Sequence, residues 1–251
     1  MKPIRLLAAL CMSAALSFAA APHSVLAADA ATLHVATDAT FAPMEFTENG
    51  ARTGFDVDLM NALAKAMGKQ VQWTDIDFKG LVPGLVARRF DAAISAIYIT
   101  PERKQVVDFT NAYYAGGLVA LVKAGSPIKT LADLNGKKVT VQVGTKSVNF
   151  LGERYPKVQR VEVEKNEEMF DLVDIGRADA AVTGKPAAYQ FARTRGGFRV
   201  LDEQLTTEQY GIAVRKDEPQ LRDALNAALD KIKADGTYDT LVKKWFSSKS
   251  R

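Results

Sequence analysis

The sequence predicts an α/β protein made of two similar lobes, each a mostly parallel sheet flanked by helices, and three observations carry that expectation. Extended and helical apolar patterns alternate along the chain. One short turn-and-strand pattern occurs twice, and the periodic patterns break at two places where the chain can pass from one core to another.

Taken in order, Leu33 to Thr37 reads as a strand. From Asp56 to Met67, the residues Leu59, Met60, Leu63 and Met67 recur at helical spacing, and Gly68 stops the helix. Val71 to Trp73 is extended, Leu81 to Arg89 helical, and Ala92 to Ala96 extended again. Thr100-Pro101-Glu102 is a helix start, because a hydroxyl can cap the first turn and proline at the first helical position forfeits no needed donor. A further helix starts at Asn166 and ends at Gly176.

The run Arg89-Phe90-Asp91-Ala92-Ala93-Ile94-Ser95 reappears as Arg177-Ala178-Asp179-Ala180-Ala181-Val182-Thr183. Each copy reads as a helix end, a tight turn and a buried strand. Helix-to-strand turns in many α/β proteins look alike, and two lobes facing each other would also produce the echo. Tyr113 to Gly117 breaks the pattern before the strand Leu118 to Val122, which places one crossing between lobes there. A second crossing is expected near Thr207 to Tyr210, because the strand Gly211 to Arg215 and the helices around Leu221 to Ile232 need a core to rejoin. The expected division is a leader over 1–27, a discontinuous first lobe over 28–114 and 210–251, and a second lobe over 115–209. A joint of two segments bends, and hinge closure is among the large motions open to a packed protein.

Lys2 and Arg5 precede an apolar run from Leu6 to Ala21 and the small-residue exit Val25-Leu26-Ala27, the pattern of a cleavable secretory leader. The alternative, a membrane anchor, is disfavoured because the run is shorter than the roughly 20 residues a span needs and Pro22 and His23 interrupt it. The single cysteine, Cys11, falls in the leader, so the exported chain is expected to have no disulfide and no thiol nucleophile. The formal net charge of +4 is scattered among acidic residues, with no basic stripe interleaved with aromatics, which argues against a nucleic acid partner. His34 sits in a strand-like run as the one histidine beyond the leader, too few soft ligands for zinc, and no cofactor is expected.

Several runs then act together: Ala36-Thr37-Asp38-Ala39-Thr40-Phe41-Ala42-Pro43, Gly54-Phe55-Asp56-Val57-Asp58-Leu59, Asp77-Phe78-Lys79-Gly80, and Ile99-Thr100-Pro101-Glu102-Arg103-Lys104. Gln209-Tyr210-Gly211-Ile212-Ala213 and Gly236-Thr237-Tyr238 with Lys244-Trp245-Phe246 complete the set. In this order and spacing the chain resembles the family 3 extracellular solute-binding proteins, polar amino acid receptors of ABC importers, and most nearly their glutamine-binding branch. The resemblance covers essentially the whole chain beyond the leader. It implies a periplasmic, monomeric receptor of the type II-like two-lobed fold with a two-segment hinge. Such a receptor closes on one small polar amino acid and hands it to an inner-membrane ABC permease without catalysing a reaction.

An amino acid presents a carboxylate, an ammonium and a side chain, so a receptor needs a cationic fork, an anionic acceptor and a shaped wall. Arg103, at a helix start, can give two parallel hydrogen bonds to a carboxylate. Phe41 and Phe78 read as core by themselves, whereas the resemblance makes them aromatic walls. Asp38 follows the first strand, where ligands of open α/β sheets gather, and the resemblance implies that it accepts from a ligand's side-chain amide. Gln142, Thr145 and Lys146 lie where a strand ends and a helix opens, so free amides there can meet a carboxylate.

Against the family pattern, Gln142 stands in place of a lysine, Ala96 of a glycine and Tyr98 of a threonine. After the second Asp-Ala-Ala strand come Thr183 and Gly184, with glycine where the family usually supplies an aspartate to the ligand's ammonium. An unpaired buried ammonium is costly. Either Asp38 or Glu45 takes over, or the ligand sits differently, or it is not an ordinary α-amino acid. Lys79, Lys146 and Lys185 would suit an acidic ligand unless they are solvated rim charges. The rival class is an enzyme of the cyclohexadienyl dehydratase type on the same scaffold, which needs an acid where this chain has Gly184.

Overall fold

Two five-stranded sheets organise residues 32–247, the residues that the structure, a computed structural model, describes. The expected leader, with Cys11, lies outside them. The first sheet region contains β1 (Thr32–Thr37), a small hairpin sheet of β2 (Thr40–Phe41), β3 (Glu45–Glu48) and β4 (Ala51–Thr53), then α1 (Phe55–Ala66), β5 (Gln70–Asp75), α2 (Leu81–Val86), β6 (Ala92–Ala93), α3 (Pro101–Lys104) and β7 (Val107–Phe109). The chain continues through β8 (Tyr114–Ala115) into β9 (Leu118–Lys123), β10 (Lys138–Gln142), α4 (Lys146–Arg154), β11 (Gln159–Val163), α5 (Asn166–Asp174), β12 (Ala180–Gly184), α6 (Lys185–Arg195) and β13 (Phe198–Val200). It returns through β14 (Gln209–Tyr210) to β15 (Ala213–Arg215), α7 (Pro219–Ala234) and α8 (Thr237–Phe246).

Both sheets follow one plan. The strand orders are β5-β1-β6-β15-β7 and β11-β10-β12-β9-β13. The first three strands in each are parallel, and the fourth runs antiparallel to both its neighbours. The protein is thus a two-lobed α/β fold, as the alternation of patterns predicts.

The internal echo has a physical cause. Asp91 Oδ2 accepts from the His34 amide at 2.9 Å and Asp179 Oδ2 from the Lys138 amide at 2.8 Å. Each aspartate therefore satisfies a donor near the start of β1 or β10, the middle of its sheet's three parallel strands, while the Ala-Ala pair behind it slots into the ladder beside that strand. His34 contributes only a backbone pairing here.

The two crossings meet each other. Tyr114 pairs with Tyr210 and Ala115 with Gln209 in an antiparallel ladder. Gly117 must be glycine at this joint: its φ is 109°, and a Cβ would lie 2.4 Å from the Thr206 carbonyl oxygen.

Helix α1 buries Phe55, Leu59, Met60 and Leu63 and packs on α7 and α8. Each such side chain contributes about 1.5–3 kcal/mol relative to exposure. Two expectations need correction. The helix from Leu81 ends at Val86, and the strand expected over Ala92 to Ala96 stops at Ala93. The chain leaves the ladder there, and Ala96 takes a left-handed φ of 46°, which turns the backbone over the end of the sheet. Among the described residues no helix is long and apolar enough to cross a membrane.

Candidate functional site

Parallel strands of one sheet end side by side, and a ligand finds its crevice beyond their carboxyl ends. Here the ends of β1 and β6 and those of β10 and β12 border the same cavity, with about 420 Å³ of empty space counting the solvent at its mouth. From the first lobe come Asp38 after β1, Phe41 on β2, Phe78 before α2, and Ala96 and Tyr98 after β6. From the second come Gln142 at the end of β10, Thr145 before α4, and Thr183 and Gly184 at the end of β12. Phe41 and Phe78, ambiguous as core or wall in the sequence, both border the cavity.

Arg103 and Lys146 fall elsewhere, in an adjoining cleft shared with Gly144 and Thr145. The Thr100 hydroxyl accepts from the Arg103 amide at 3.3 Å, the expected cap of α3. The guanidinium donates to the Tyr98 carbonyl at 2.9 Å and to the Gly144 carbonyl at 3.2 Å, and lies 5.4 Å from the centre of the Phe78 ring. It therefore ties the first lobe to the second. Burial lowers its pKa to about 10, which leaves it charged at neutral pH. Lys146 is held by Glu208 at 2.7 Å and Lys79 by Glu164 at 2.6 Å, so both lysines have protein acids as partners.

Asp38 is the most crowded polar group. Its Oδ1 accepts from Thr40 Oγ1 at 3.1 Å and from Lys165 Nζ at 3.2 Å. Its Oδ2 accepts from the Phe78 amide at 3.1 Å and from Gln142 Nε2 at 2.7 Å. Burial raises its pKa, and the Lys165 charge opposes that rise.

Beneath the cavity runs a buried chain of polar contacts. The Asp38 amide donates to Ser95 Oγ at 3.1 Å, and Ser95 Oγ donates to Glu45 Oε1 at 2.7 Å. Asp56 Oδ2 accepts from the Ala96 amide and from the Tyr113 hydroxyl, each at 2.7 Å. The remaining oxygens, Glu45 Oε2 and Asp56 Oδ1, are buried without a hydrogen-bond partner, and a proton on either carboxyl would relieve the repulsion between them. Burial and the neighbouring Asp56 carboxylate push Glu45 well above the usual carboxylate range. Burial pushes Asp56 up to about 6, against the pull of the Ala96 amide and Tyr113.

Gly184 has a steric reason. A Cβ there would lie 2.5 Å from the Tyr210 hydroxyl and 2.7 Å from Phe41 Cζ. The Tyr210 hydroxyl donates to that of Tyr98 at 3.2 Å, so two phenols fill the space beside the glycine. Among the described residues no cluster of three or more His, Cys, Asp or Glu could hold a metal ion.

Residues 33–248 match the bacterial extracellular solute-binding proteins, family 3. The chain belongs to that family. It is 35% identical over 226 residues to ABC transporter arginine-binding protein 1 of Escherichia coli (strain K12), covering 88% of this chain and 93% of that one. It is 34% identical over 215 residues to the ABC transporter glutamine-binding protein GlnH of Bacillus subtilis (strain 168), covering 84% and 79%. The crystal structure of the ancestral amino acid-binding protein AncCDT-1, a precursor of cyclohexadienyl dehydratase, superposes with a TM-score of 0.82 at 42% identity, covering 87% and 97%. The protein is an amino acid solute-binding protein of the ABC-transporter class.

In this solute-binding protein the cavity also includes Glu45, Ser95, Leu118, Ser147, Val182 and Tyr210. Ser95 could have been found from the echo, since it holds the place of Thr183. Tyr210 lies in the run Gln209 to Ala213, but nothing local to that run says that its hydroxyl reaches Gly184.

Proposed function

We propose that this solute-binding protein encloses a small polar amino acid with an uncharged, glutamine-like side chain between its lobes, in the periplasm, and delivers it to an inner-membrane ABC permease. The observation that carries this reading is the cavity's lining: amide and hydroxyl groups from both lobes, with each acidic group already compensated. Asp38 has protein donors on both oxygens, and burial beside Asp56 favours the neutral form of Glu45. Thr145 and Ser147 stand at the start of α4, whose first-turn amides lack partners within the helix and suit the ligand's carboxylate. Arg103 adds positive charge beside that end and closes over it with the Gly144 carbonyl.

Gly184 supports a second reading. The wall there carries no carboxylate, and the groups beside it are the phenols of Tyr98 and Tyr210. A ligand with a carboxylate but no ammonium, such as a 2-oxo acid, would suit that wall without leaving a buried charge unpaired.

A thermal-shift panel backed by calorimetry separates these readings. A ligand at about 100 times its Kd adds about 2.7 kcal/mol to stability, a readily measured rise in Tm. Glutamine is expected to produce it, and arginine and glutamate are not. No shift with any amino acid and a clear shift with a 2-oxo acid would replace the first reading by the second. An assay with prephenate or arogenate is expected to yield no product; turnover would instead establish the enzyme.

A further inference from the structure

We infer that Lys165 is a built-in cation that pairs with Asp38, a carboxylate lining the ligand cavity, and sets this receptor against ligands with a positively charged side chain. The inference rests on the amino acid reading above and names the residue that decides its charge class.

Lys165 precedes α5 in the second lobe. Its ammonium lies 3.2 Å from Asp38 Oδ1 and 2.7 Å from Asp77 Oδ1, both in the first lobe. The Asp38 side chain is only 2% exposed. An ionised carboxylate offers about four lone-pair directions, and Thr40, Lys165, Phe78 and Gln142 take all of them. Two of these donors, Thr40 and Phe78, come from the lobe that carries Asp38. The other two, Lys165 and Gln142, come from the lobe opposite, so the set is completed only as the crevice closes.

A guanidinium or ammonium on a ligand side chain would be drawn to Asp38, since burial and the neighbouring Asp56 favour the neutral form of Glu45, the other carboxyl lining the cavity. To pair with Asp38, that group must displace Lys165 or lie beside it as a second positive charge, and either is unfavourable at a carboxylate so buried. A neutral amide meets no such conflict. Gln142 Nε2 is spent on Asp38 and on the Glu164 carbonyl at 3.0 Å, which turns the other end of that amide into an available acceptor for a ligand N–H. Hydrogen bonding to Asp77 and attraction from both aspartates outweigh the burial that disfavours the Lys165 charge, so its pKa lies above the ordinary lysine value and the cation persists across physiological pH.

Calorimetry on the whole exported chain tests this with arginine and glutamine as probes. Lys165→Met should bind arginine about tenfold or more tightly than wild type, while Lys165→Arg, which keeps the charge, should not. Lys165 is 43% exposed, so both variants should fold; Lys165→Gln serves as a second neutral variant, with circular dichroism as the check. Arginine affinity unchanged in both neutral variants, or equal affinity of wild type for arginine and glutamine, overturns the inference. Glutamine binding by wild type without an arginine gain in Lys165→Met sinks Lys165 alone. Arginine binding by Lys165→Met when wild type binds no amino acid sinks the glutamine reading and leaves the role of Lys165 intact.

Discussion

Two acids that meet below the cavity, Glu45 and Asp56, show how one buried pair can both support a site and tax the fold. Asp56 holds the amide of Ala96 in its left-handed turn, and Glu45 holds Ser95, so the loop after β6 depends on both. Both pKa values are raised in the folded chain, mainly by burial. The pair's stabilisation is therefore complete below the ordinary carboxylate range and is lost as pH rises through about 6 for Asp56 and through the raised pKa of Glu45. Glu45→Gln keeps an acceptor for Ser95 and gives Asp56 a neutral donor. Its stability relative to wild type should rise by roughly 1–3 kcal/mol between about pH 5 and about pH 8, read from urea denaturation at each pH. A difference that stays flat would mean that neither carboxyl keeps its proton above the ordinary range. Sequence placed Asp56 in a helix's first turn and weighed Glu45 as a ligand contact; their contact, between a hairpin strand and a helix, was not legible.

Among the elements, α8 reaches furthest beyond its own packing. Asp58 Oδ2 on α1 accepts from Lys244 Nζ and Trp245 Nε1, each at 2.7 Å. Phe246 lies 5.0 Å from the Phe55 ring and 4.8 Å from that of Tyr114, and the Tyr238 hydroxyl donates to the Tyr113 carbonyl. The C-terminal helix thereby braces β8, one strand of the joint between lobes. Asp58→Ala leaves the indole N–H without its acceptor and should cost about 1–2 kcal/mol, seen as a lower urea midpoint with unchanged m. The helix start at Thr100 was legible because its cap and proline act within one turn, whereas the helix from Asn166 begins without a side-chain cap. The early end of β6 was not, because the left-handed turn at Ala96 is stabilised by a carboxylate from α1.

For the whole molecule, side-chain contacts tie the lobes across the crevice. Lys79 to Glu164, Lys165 to Asp38 and Asp77, and Arg103 to the Gly144 carbonyl all cross the crevice. Most of these charges are partly exposed, and salt at about 1 M shortens the Debye length to about 3 Å. The radius of gyration of the ligand-free chain, by X-ray scattering, should increase from about 0.1 M to about 1 M salt, and that of the glutamine-bound chain should change less. Equal radii at both salts would show that these pairs do not hold the crevice shut.

The alternation of strands and helices, the echo and the family were legible along the chain, because periodicity, turn residues and ordered motifs are local in sequence. Only the tertiary structure decided that Arg103 joins the lobes beside the cavity, that Tyr98 and Tyr210 fill the space next to Gly184, and that Lys165 and Gln142 reach Asp38. Whether a carboxylate is free for a ligand depends on donors within about 3 Å of it. Those donors lie far along the chain from Asp38, where no periodic pattern records them.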